Sequence, residues 1–230
     1  MTGVENMSIG TPMNNRQGNC ILVGAGDLTI SEIPINEGDL CIAVDGGYEY
    51  CCLLDIRPDY VLGDFDSLSS KQAEKLEERA QKDQTKVIRI PREKDDTDML
   101  AAIKLGLQEG YRSFRLYGGS GGRLEHTLAN IQCLLYLKEH DAVGYMMDGT
   151  GMILVAKEEE ISFRENLEGY LSLFSLGERT TVSIENMKYL LDHAELTNSF
   201  PIGISNEFIG EMGCVRVHQG AVVIIISWVN

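Results

Sequence analysis

The alternation of apolar runs with helical patterns constrains the fold of this chain more than any other feature of its sequence. From residue 20 to about 148, short apolar runs alternate with stretches whose apolar residues recur at helical spacing. The apolar runs are Cys20–Val23, 41–44, 60–62, 87–90, 114–117 and 143–147. The helical stretches are 70–81, 97–109 and 124–139, and Leu124, Leu128, Ile131 and Leu135 mark one face of the last. This alternation predicts βαβ units and a mostly parallel sheet.

After Thr150 the pattern changes to short runs that are rich in Val, Ile, Thr and aromatic residues, with turns between them. No stretch there has convincing helical periodicity, so we predict a small antiparallel β-sandwich or barrel. The chain then divides into a Rossmann-like α/β domain over 20–148 and a smaller β domain over 149–230. Residues 1–19 are polar, and we expect them to form a disordered extension.

Charge and cysteine content limit the partners and the compartment. The chain of 230 residues has a formal net charge of −15 and a pI near 4.6, so we expect it to bind neither nucleic acid nor an anionic membrane surface. Its longest apolar run, 221–226, is far shorter than the roughly 20 residues that span a bilayer. The six cysteines include no C-x-x-C pair, and we expect a reducing, cytoplasmic location.

Six carboxylates fall in three short stretches of the first hundred residues. Asp45 lies in Asp-Gly-Gly, Asp64 and Asp66 lie in Gly-Asp-Phe-Asp-Ser, and Asp-Asp-Thr-Asp spans residues 95–98. Ligands of parallel sheets bind at the carboxyl ends of the strands, so several of these acids should converge at one edge. Two bare carboxylates about 4 Å apart repel by about 4 kcal/mol at an effective dielectric near 20. The pattern therefore indicates a bound cation, and Mg²⁺ is the one that takes oxygen ligands alongside phosphates.

Each acidic stretch also has a purely structural interpretation, which the residues alone leave open. Asp and Gly at 63–66 are typical of a turn. Asp96 or Thr97 is a suitable N-cap for the helix that follows, and acids in its first turn complement the helix dipole.

The stretch 117–123, Tyr-Gly-Gly-Ser-Gly-Gly-Arg, leaves a predicted strand and enters a predicted helix. Four glycines in five residues allow backbone N–H groups to approach a polyphosphate near a helix N-terminus. Arg123 is suited to a bidentate phosphate contact. The stretch lacks the Gly-Lys-Ser/Thr of a P-loop, and a merely flexible loop is the alternative. His126, on the following helix, is by itself more typical of a helix surface than of a catalyst.

The ordered set of motifs resembles the thiamine pyrophosphokinase family. The motifs are Asp-Gly-Gly at 45–47, Gly-Asp-Phe-Asp-Ser at 63–67, Asp-x-Thr-Asp at 95–98, Gly-Gly-Arg-x-acid-His-x-x-x-Asn at 121–130, and Ser-Asn-Glu-Phe at 205–208. The resemblance covers roughly residues 20–230. It implies an α/β nucleotide domain, a C-terminal β-sandwich for thiamine binding and dimerisation, and a homodimer with sites at the subunit interface. The implied reaction is Mg²⁺-dependent transfer of pyrophosphate from ATP to the hydroxyl of thiamine, which releases AMP.

The resemblance also implies roles for individual residues. The implied metal ligands are Asp64, Asp66 and Asp98, which would be catalytic together with Arg123. The implied nucleotide-site and metal-site residues are Asp45, Gly46, Gly47, Asp95, Thr97, Gly118, Gly119, Arg123 and His126. The implied thiamine-site residues are Tyr189, Ser205 and Asn206, with Tyr189 stacking on the substrate. Glu125 departs from the Asp that is usual in the family, and Asn186-Met187 replaces the usual Gly-Leu before Lys188.

Two other functions remain open at this point. A non-catalytic sensor of nucleotide or thiamine would keep the pocket, although pure binding seldom needs so many carboxylates. A phosphohydrolase with an aspartyl nucleophile also uses D-x-D. Here, however, the D-x-D follows the third predicted strand instead of opening the domain.

Overall fold

The computed structural model describes residues 7–9, 18–65, 70–91, 93 and 95–229, and it divides into two compact units. The first, here the α/β unit, comprises residues 14–133 and 146–149. The second, here the β unit, comprises residues 1–13, 134–145 and 150–230. The division after residue 149 lies next to the predicted boundary, whereas residues 134–145 group with the β unit.

A parallel sheet forms the centre of the α/β unit. Its strands are β2 (Cys20–Val23), β3 (Leu40–Val44), β4 (Tyr60–Gly63), β5 (Lys86–Arg89) and β6 (Ser113–Tyr117). Its helices are α1 (Gly47–Leu53), α2 (Ser70–Asp83) and α3 (Asp98–Gln108). Two further elements, helix α4 (Leu124–Lys138) and strand β7 (Val143–Asp148), are divided between the two units. The strand order is β6-β2-β3-β4-β5, and all four pairings are parallel. The predicted mixed α/β fold with a mostly parallel sheet is therefore confirmed.

Burial explains why these strands are recognisable in the sequence. Every residue of β2 and β3 is buried. A strand that is covered on both faces reads as a continuous apolar run, with no alternation of polar and apolar residues. On the helices, Leu76, Met99 and Ile103 are buried at the positions that the helical spacing predicts.

Two helices differ from the sequence-based prediction. Leu124 and Leu128, predicted to mark the apolar face of α4, are 80% and 59% exposed. The helix buries Asn130, Cys133, Leu134 and Leu137 instead, so its buried face combines apolar packing with the polar contacts of Asn130 and Cys133. The short helix α1 was not predicted, since seven residues are too few for helical periodicity to be recognised.

Two antiparallel sheets form the β unit. Its remaining strands are β1 (Met7–Ile9), β8 (Gly151–Lys157), β9 (Glu160–Phe163), β10 (Tyr170–Ser175), β11 (Arg179–Glu185), β12 (Leu191–Thr197), β13 (Asn206–Glu207), β14 (Gly213–Gln219) and β15 (Ala221–Ser227). One sheet has the order β1-β9-β14-β11-β12, and the other strands pair in the order β13-β10-β15-β8. Because β1 pairs with β9, residues 7–9 are a strand and not part of the disordered extension expected over 1–19.

Within the described residues, no helix has both the length and the apolar content needed to cross a bilayer.

Candidate active site

The carboxyl ends of the parallel strands bring most of the predicted residues to one edge of the sheet. Asp45 directly follows β3, Asp64 follows β4, and the glycine stretch 118–122 follows β6. Because these strands run in the same direction, their carboxyl ends lie at the same edge of the sheet. This edge belongs entirely to the α/β unit.

Asp45 lies against the end of the neighbouring strand. Its N–H donates to the Leu62 carbonyl at 2.8 Å, and its backbone has a positive φ of 51°. A Cβ at Gly63 would lie only 3.2 Å from both the Cα and the Oδ1 of Asp45. Glycine at position 63 therefore allows the Asp45 carboxylate to lie beside the segment that carries Asp64.

Packing also fixes the turn that carries Asp64. The next residue, Phe65, has a positive φ of 54°, which is rare for a bulky side chain. Its ring is buried, and the Arg89 guanidinium lies 5.5 Å from the ring centroid, within the range of a cation–π contact. Asp66, the second acid of the D-x-D pair, lies outside the described residues.

The acidic stretch before α3 combines structural residues with candidate ligands. Lys104 donates from Nζ to both carboxylate oxygens of Asp96, at 2.7 and 2.6 Å. The Oγ1 atom of Thr97 accepts a hydrogen bond from the Leu100 N–H at 3.2 Å, which makes Thr97 the N-cap of α3. The capping interpretation is thus confirmed for Thr97, whereas Asp96 pairs with Lys104 and is not the cap. Exposed Asp95 and half-buried Asp98 are the acids of this stretch that fit a cation site.

The predicted metal ligands stay a prediction. Among the described residues, no group of three or more His, Cys, Asp or Glu side chains is placed to hold a metal ion. The predicted set includes Asp66, which is outside those residues. The donors that it would combine are all carboxylates, and carboxylate oxygens are the ligands that Mg²⁺ prefers.

The glycine stretch after β6 is held by hydrogen bonds to its carbonyl groups. The Gly24 N–H donates to Tyr117, the Gly26 N–H to Gly118, and the Asp27 N–H to Ser120, each at 2.8 Å. The remaining carbonyl of this segment, that of Gly119, accepts from the Asn130 side-chain amide at 2.7 Å. The stretch is therefore held against the protein at each of four successive carbonyls.

Arg123 points into solvent and already has an acidic partner. Its Nε donates to Glu125 Oε1 at 2.7 Å, and the two side chains are 72% and 65% exposed. The pKa of Glu125 is lowered, first by a hydrogen bond from its own backbone N–H and then by the Arg123 side chain. A phosphate that binds Arg123 would have to compete with this carboxylate. His126 is exposed, and its backbone N–H donates to the Arg123 carbonyl at 3.1 Å.

The three predicted thiamine-site residues all belong to the β unit. Tyr189 is 57% exposed, and the Lys188 ammonium lies 5.6 Å from its ring centroid. Asn206 is buried and bonds the Tyr189 backbone, at 2.9 Å to its N–H and 2.7 Å to its carbonyl. Ser205 is exposed, has a positive φ of 56°, and donates from its N–H to the Ser172 hydroxyl.

Asn130 and Cys133 were not predicted as candidate site residues, although both contact predicted ones. They lie three apart on α4, which places them on one face. Asn130 bonds Gly119, and the Cys133 thiol contacts the Thr97 side chain. Burial raises the pKa of Cys133 to about 11, so its thiol stays neutral at physiological pH. Asn130 is the last residue of the motif at 121–130, whereas Cys133 lies in an apolar stretch and gave no signal of a polar contact.

Two family models match this chain. The thiamin pyrophosphokinase catalytic domain matches residues 34–146, and the thiamin pyrophosphokinase vitamin B1 binding domain matches residues 158–222. The chain belongs to the thiamine pyrophosphokinase family. The predicted family is confirmed, and with it the assignment as an enzyme that forms thiamine diphosphate by pyrophosphate transfer.

Individual relatives agree with this assignment. The thiamine pyrophosphokinase of Bacillus subtilis (strain 168) is 28% identical over 195 residues, which cover 84% of this chain and 89% of the relative. The crystal structure of thiamin pyrophosphokinase from Geobacillus thermodenitrificans is similar with a TM-score of 0.79 and 26% identity, over 93% of this chain and 99% of that chain. A thiamin pyrophosphokinase family protein from Enterococcus faecalis has a TM-score of 0.77 and 26% identity, over 92% and 100% of the two chains.

Proposed function

We propose that this enzyme transfers pyrophosphate from ATP to the hydroxyl of thiamine in a Mg²⁺-dependent reaction. In this reaction the hydroxyl oxygen bonds to the β-phosphorus of ATP, the bond from that phosphorus to the α-phosphate oxygen breaks, and AMP leaves. The hydroxyl proton is lost. Family membership supports thiamine as the acceptor, and the α/β unit supports ATP as the donor.

The observation that carries the proposal is the arrangement at the carboxyl edge of the parallel sheet. Carboxylates follow β3 and β4, and a glycine-rich stretch follows β6. A polyphosphate with its cation needs both kinds of group, because the cation requires oxygen ligands and the phosphates require N–H donors. Transfer of a phosphoryl group depends mainly on positioning and charge neutralisation, which this edge is suited to supply.

The metal would be held by Asp64, Asp66 and Asp98. Asp95 is close in sequence to Asp98, and Asp45 lies against Gly63, the residue before Asp64. When bound, Mg²⁺ supplies positive charge to the phosphate oxygens as negative charge develops on them. Arg123 and the backbone N–H groups of 118–122 would bind the same polyphosphate from the protein side. Gly46 and Gly47 open α1 next to Asp45 and would let the nucleotide approach its backbone.

Thiamine would bind on the β unit at Tyr189. The thiazolium ring of thiamine is cationic, and an exposed tyrosine ring attracts a cation through its π face. Lys188 already lies near this ring and is bonded to Glu207 at 2.6 Å. Because Glu207 partly neutralises the charge of Lys188, the lysine repels the thiazolium cation less strongly.

We further propose a homodimer in which the β unit of one subunit completes the ATP site of the other. Between residues 189 and 212, seven large apolar side chains of the β unit are about half exposed or more. They are Tyr189, Leu190, Phe200, Ile202, Ile204, Ile209 and Met212. Exposed apolar side chains in such number are typical of an interface. In a C₂ dimer two equivalent composite sites would result.

One assay tests the reaction. The protein is incubated with ATP, Mg²⁺ and thiamine, and the adenine nucleotides are separated. Formation of AMP and thiamine diphosphate in equal amounts is the expected result. Formation of ADP would indicate transfer of a single phosphoryl group and contradict the proposal. Phosphate release without thiamine would indicate a phosphohydrolase, and binding without turnover would indicate a sensor.

A further inference from the structure

The peptide groups of the glycine stretch have an orientation that the sequence does not reveal. The carbonyls of Gly118, Gly119 and Ser120 each accept a hydrogen bond from the protein. In a trans peptide the N–H points opposite to the carbonyl of the same unit. The N–H groups that follow these carbonyls, those of Gly119, Ser120 and Gly121, therefore point away from the groups that hold the stretch.

These N–H groups have no acceptor in the part of the chain that the structure describes. Neither a backbone carbonyl nor a side chain there accepts a hydrogen bond from the backbone N–H groups of residues 119–121, whereas the Ser120 hydroxyl donates to Asp148 Oδ2 at 3.2 Å. Gly119 is buried, so its N–H is not simply exposed to bulk water. An unpaired buried N–H costs free energy, and an anion that accepts from it removes that cost.

Three of the four carbonyls are held by backbone N–H groups of 24–27, but Gly119 is held by a side chain. Asn130, on α4, donates from Nδ2 to the Gly119 carbonyl at 2.7 Å, and Asn130 is 8% exposed. The peptide between Gly119 and Ser120 has no side chain on its first residue to hinder rotation. Without Asn130 this peptide would be free to turn its carbonyl oxygen, a partial negative charge, toward the phosphates.

We propose that Asn130 is a positioning residue that orients the Gly119–Ser120 peptide so that its N–H faces the polyphosphate of ATP. This inference rests on the proposed function of the glycine stretch. In this role Asn130 acts through the Gly119 carbonyl that its amide holds. The predicted effect of losing Asn130 is therefore on ATP affinity.

The neighbourhood supplies a second constraint on the same stretch. A methyl group at Gly26 would overlap the carbonyl oxygen of Ser120, so glycine is required where the two loops meet. The Asp27 carboxylate lies against Gly121 on the side of the 24–27 loop. The Gly121 N–H points away from that loop, so this negative charge lies on the opposite side from the proposed phosphate.

The experiment compares Asn130→Ala with a matched control, Thr85→Val. Thr85 lies in the same unit, is equally buried, and donates from its hydroxyl to the Pro58 carbonyl at 2.7 Å. Each change removes one buried side-chain hydrogen bond to a carbonyl. We expect Asn130→Ala to raise the KM for ATP about tenfold, which corresponds to ~1.4 kcal/mol, with the KM for thiamine unchanged within about twofold. Thr85→Val should lower the Tm comparably and leave both KM values unchanged.

A rise in ATP KM for Asn130→Ala no larger than that for Thr85→Val would overturn the proposal, since the effect would then be general loss of stability. Equal rises in both KM values would overturn it as well. If Asn130→Ala does not fold, the unaltered protein still gives a test. Inorganic pyrophosphate is titrated into ¹⁵N-labelled protein, and the amide signals of Gly119, Ser120 and Gly121 should shift. Signals that do not move would contradict the proposal.

The same design separates this inference from the proposed function. Wild-type protein that forms AMP, combined with an unaffected ATP KM in Asn130→Ala, would refute only the role of Asn130. Wild-type protein that forms no AMP would refute the proposed function, and the pyrophosphate titration would then test the peptide orientation independently.

Discussion

The side-chain amide of Asn206 bonds both backbone polar groups of Tyr189. Its Oδ1 accepts from the Tyr189 N–H at 2.9 Å, and its Nδ2 donates to the Tyr189 carbonyl at 2.7 Å. The same Oδ1 accepts from the Glu207 N–H at 2.9 Å. Asn206 is 4% exposed whereas Tyr189 is 57% exposed. This arrangement favours a role for Asn206 in holding the Tyr189 ring in place over direct contact with thiamine.

Replacing Asn206 should therefore affect thiamine and not ATP. Asn206→Ala leaves two backbone groups of Tyr189 without their partner, at a cost of about 1–3 kcal/mol. If that cost falls on thiamine binding, the KM for thiamine rises roughly 5- to 150-fold. Steady-state kinetics with each substrate varied in turn is the measurement.

Two variants control this first prediction. Tyr189→Phe keeps the ring and should stay near wild-type activity. Thr180→Val removes the buried hydrogen bonds of this hydroxyl with the Ala221 carbonyl and the Ser175 hydroxyl, at 3.1 and 2.7 Å, and should lower only the Tm. A rise in the thiamine KM for Thr180→Val as large as that for Asn206→Ala would contradict a specific role for Asn206.

The acids before α3 should separate into one structural and one functional member. Asp98→Asn should reduce turnover by more than about a hundredfold and raise the Mg²⁺ requirement, because it removes the charge of a proposed metal ligand. Asp96→Asn breaks the partly exposed pair with Lys104, which is worth about 0–1 kcal/mol, and should change only the Tm. The measurement is turnover as a function of Mg²⁺ concentration, after removal of metal with EDTA.

Asp66→Asn provides the companion test of the metal site. It should abolish turnover while circular dichroism and the Tm show an intact fold. Near-normal activity of Asp66→Asn at low Mg²⁺ would refute the assignment of the metal ligands, as would an Mg²⁺ requirement of Asp96→Asn equal to that of Asp98→Asn.

Arg123 and Glu125 should have opposite effects on ATP. Arg123→Ala should weaken ATP binding by roughly 1.5–3 kcal/mol, the range for hydrogen bonds to charged groups. Glu125→Gln removes the carboxylate that competes for Arg123, so the KM for ATP should fall by about threefold or less, since exposed pairs are weak. Isothermal titration with a non-hydrolysable ATP analogue measures both effects.

The pH dependence of this pair has a definite sign. The pKa of Glu125 lies below its ordinary value of 4.5, so the folded protein favours the charged form. The pair is therefore complete above the ordinary pKa and is lost only as the pH falls through the lowered value. Between pH 6 and pH 8, the ATP affinity of the wild type should then depend on pH in the same way as the ATP affinity of Glu125→Gln. A pH-dependent change that is present in the wild type and absent in Glu125→Gln would show that Glu125 itself titrates in this range, which would contradict its lowered pKa.

The parallel sheet could be predicted because burial on both faces leaves a direct record in the sequence. Cys20–Val23 is the clearest case, since the predicted run and β2 have the same bounds. The position of the acids at the strand ends could be predicted as well, because parallel strands place their carboxyl ends at one edge of the sheet. The left-handed backbone at Asp45 and Phe65 could not be predicted from the sequence, since neither residue is a glycine.

The polar contacts of α4 could not be predicted because they depend on which loops the helix meets. Helical spacing favoured Leu124 and Leu128 as the buried face, yet both are exposed. Asn130 is buried, and the carbonyl that accepts its amide proton belongs to Gly119, in the loop directly before α4. Likewise, the sequence predicts a phosphate partner for Arg123. In the structure its partner is the Glu125 carboxylate, two residues away.

The last prediction tests whether two subunits share each site. The acids and glycines lie in the α/β unit, whereas Tyr189 and Asn206 lie in the β unit. An Asp66→Asn variant and a Tyr189→Ala/Asn206→Ala double variant are each prepared, shown to be inactive, and mixed in equal amounts under conditions of subunit exchange. Random pairing makes half of the dimers mixed, and one of the two composite sites in each mixed dimer is unaltered. Shared sites therefore predict recovery of about a quarter of wild-type activity. Exchange is verified by mass spectrometry of differently tagged subunits, and mixing each variant with itself is the control. No recovery in spite of verified exchange would mean that each chain builds its site from its own two units.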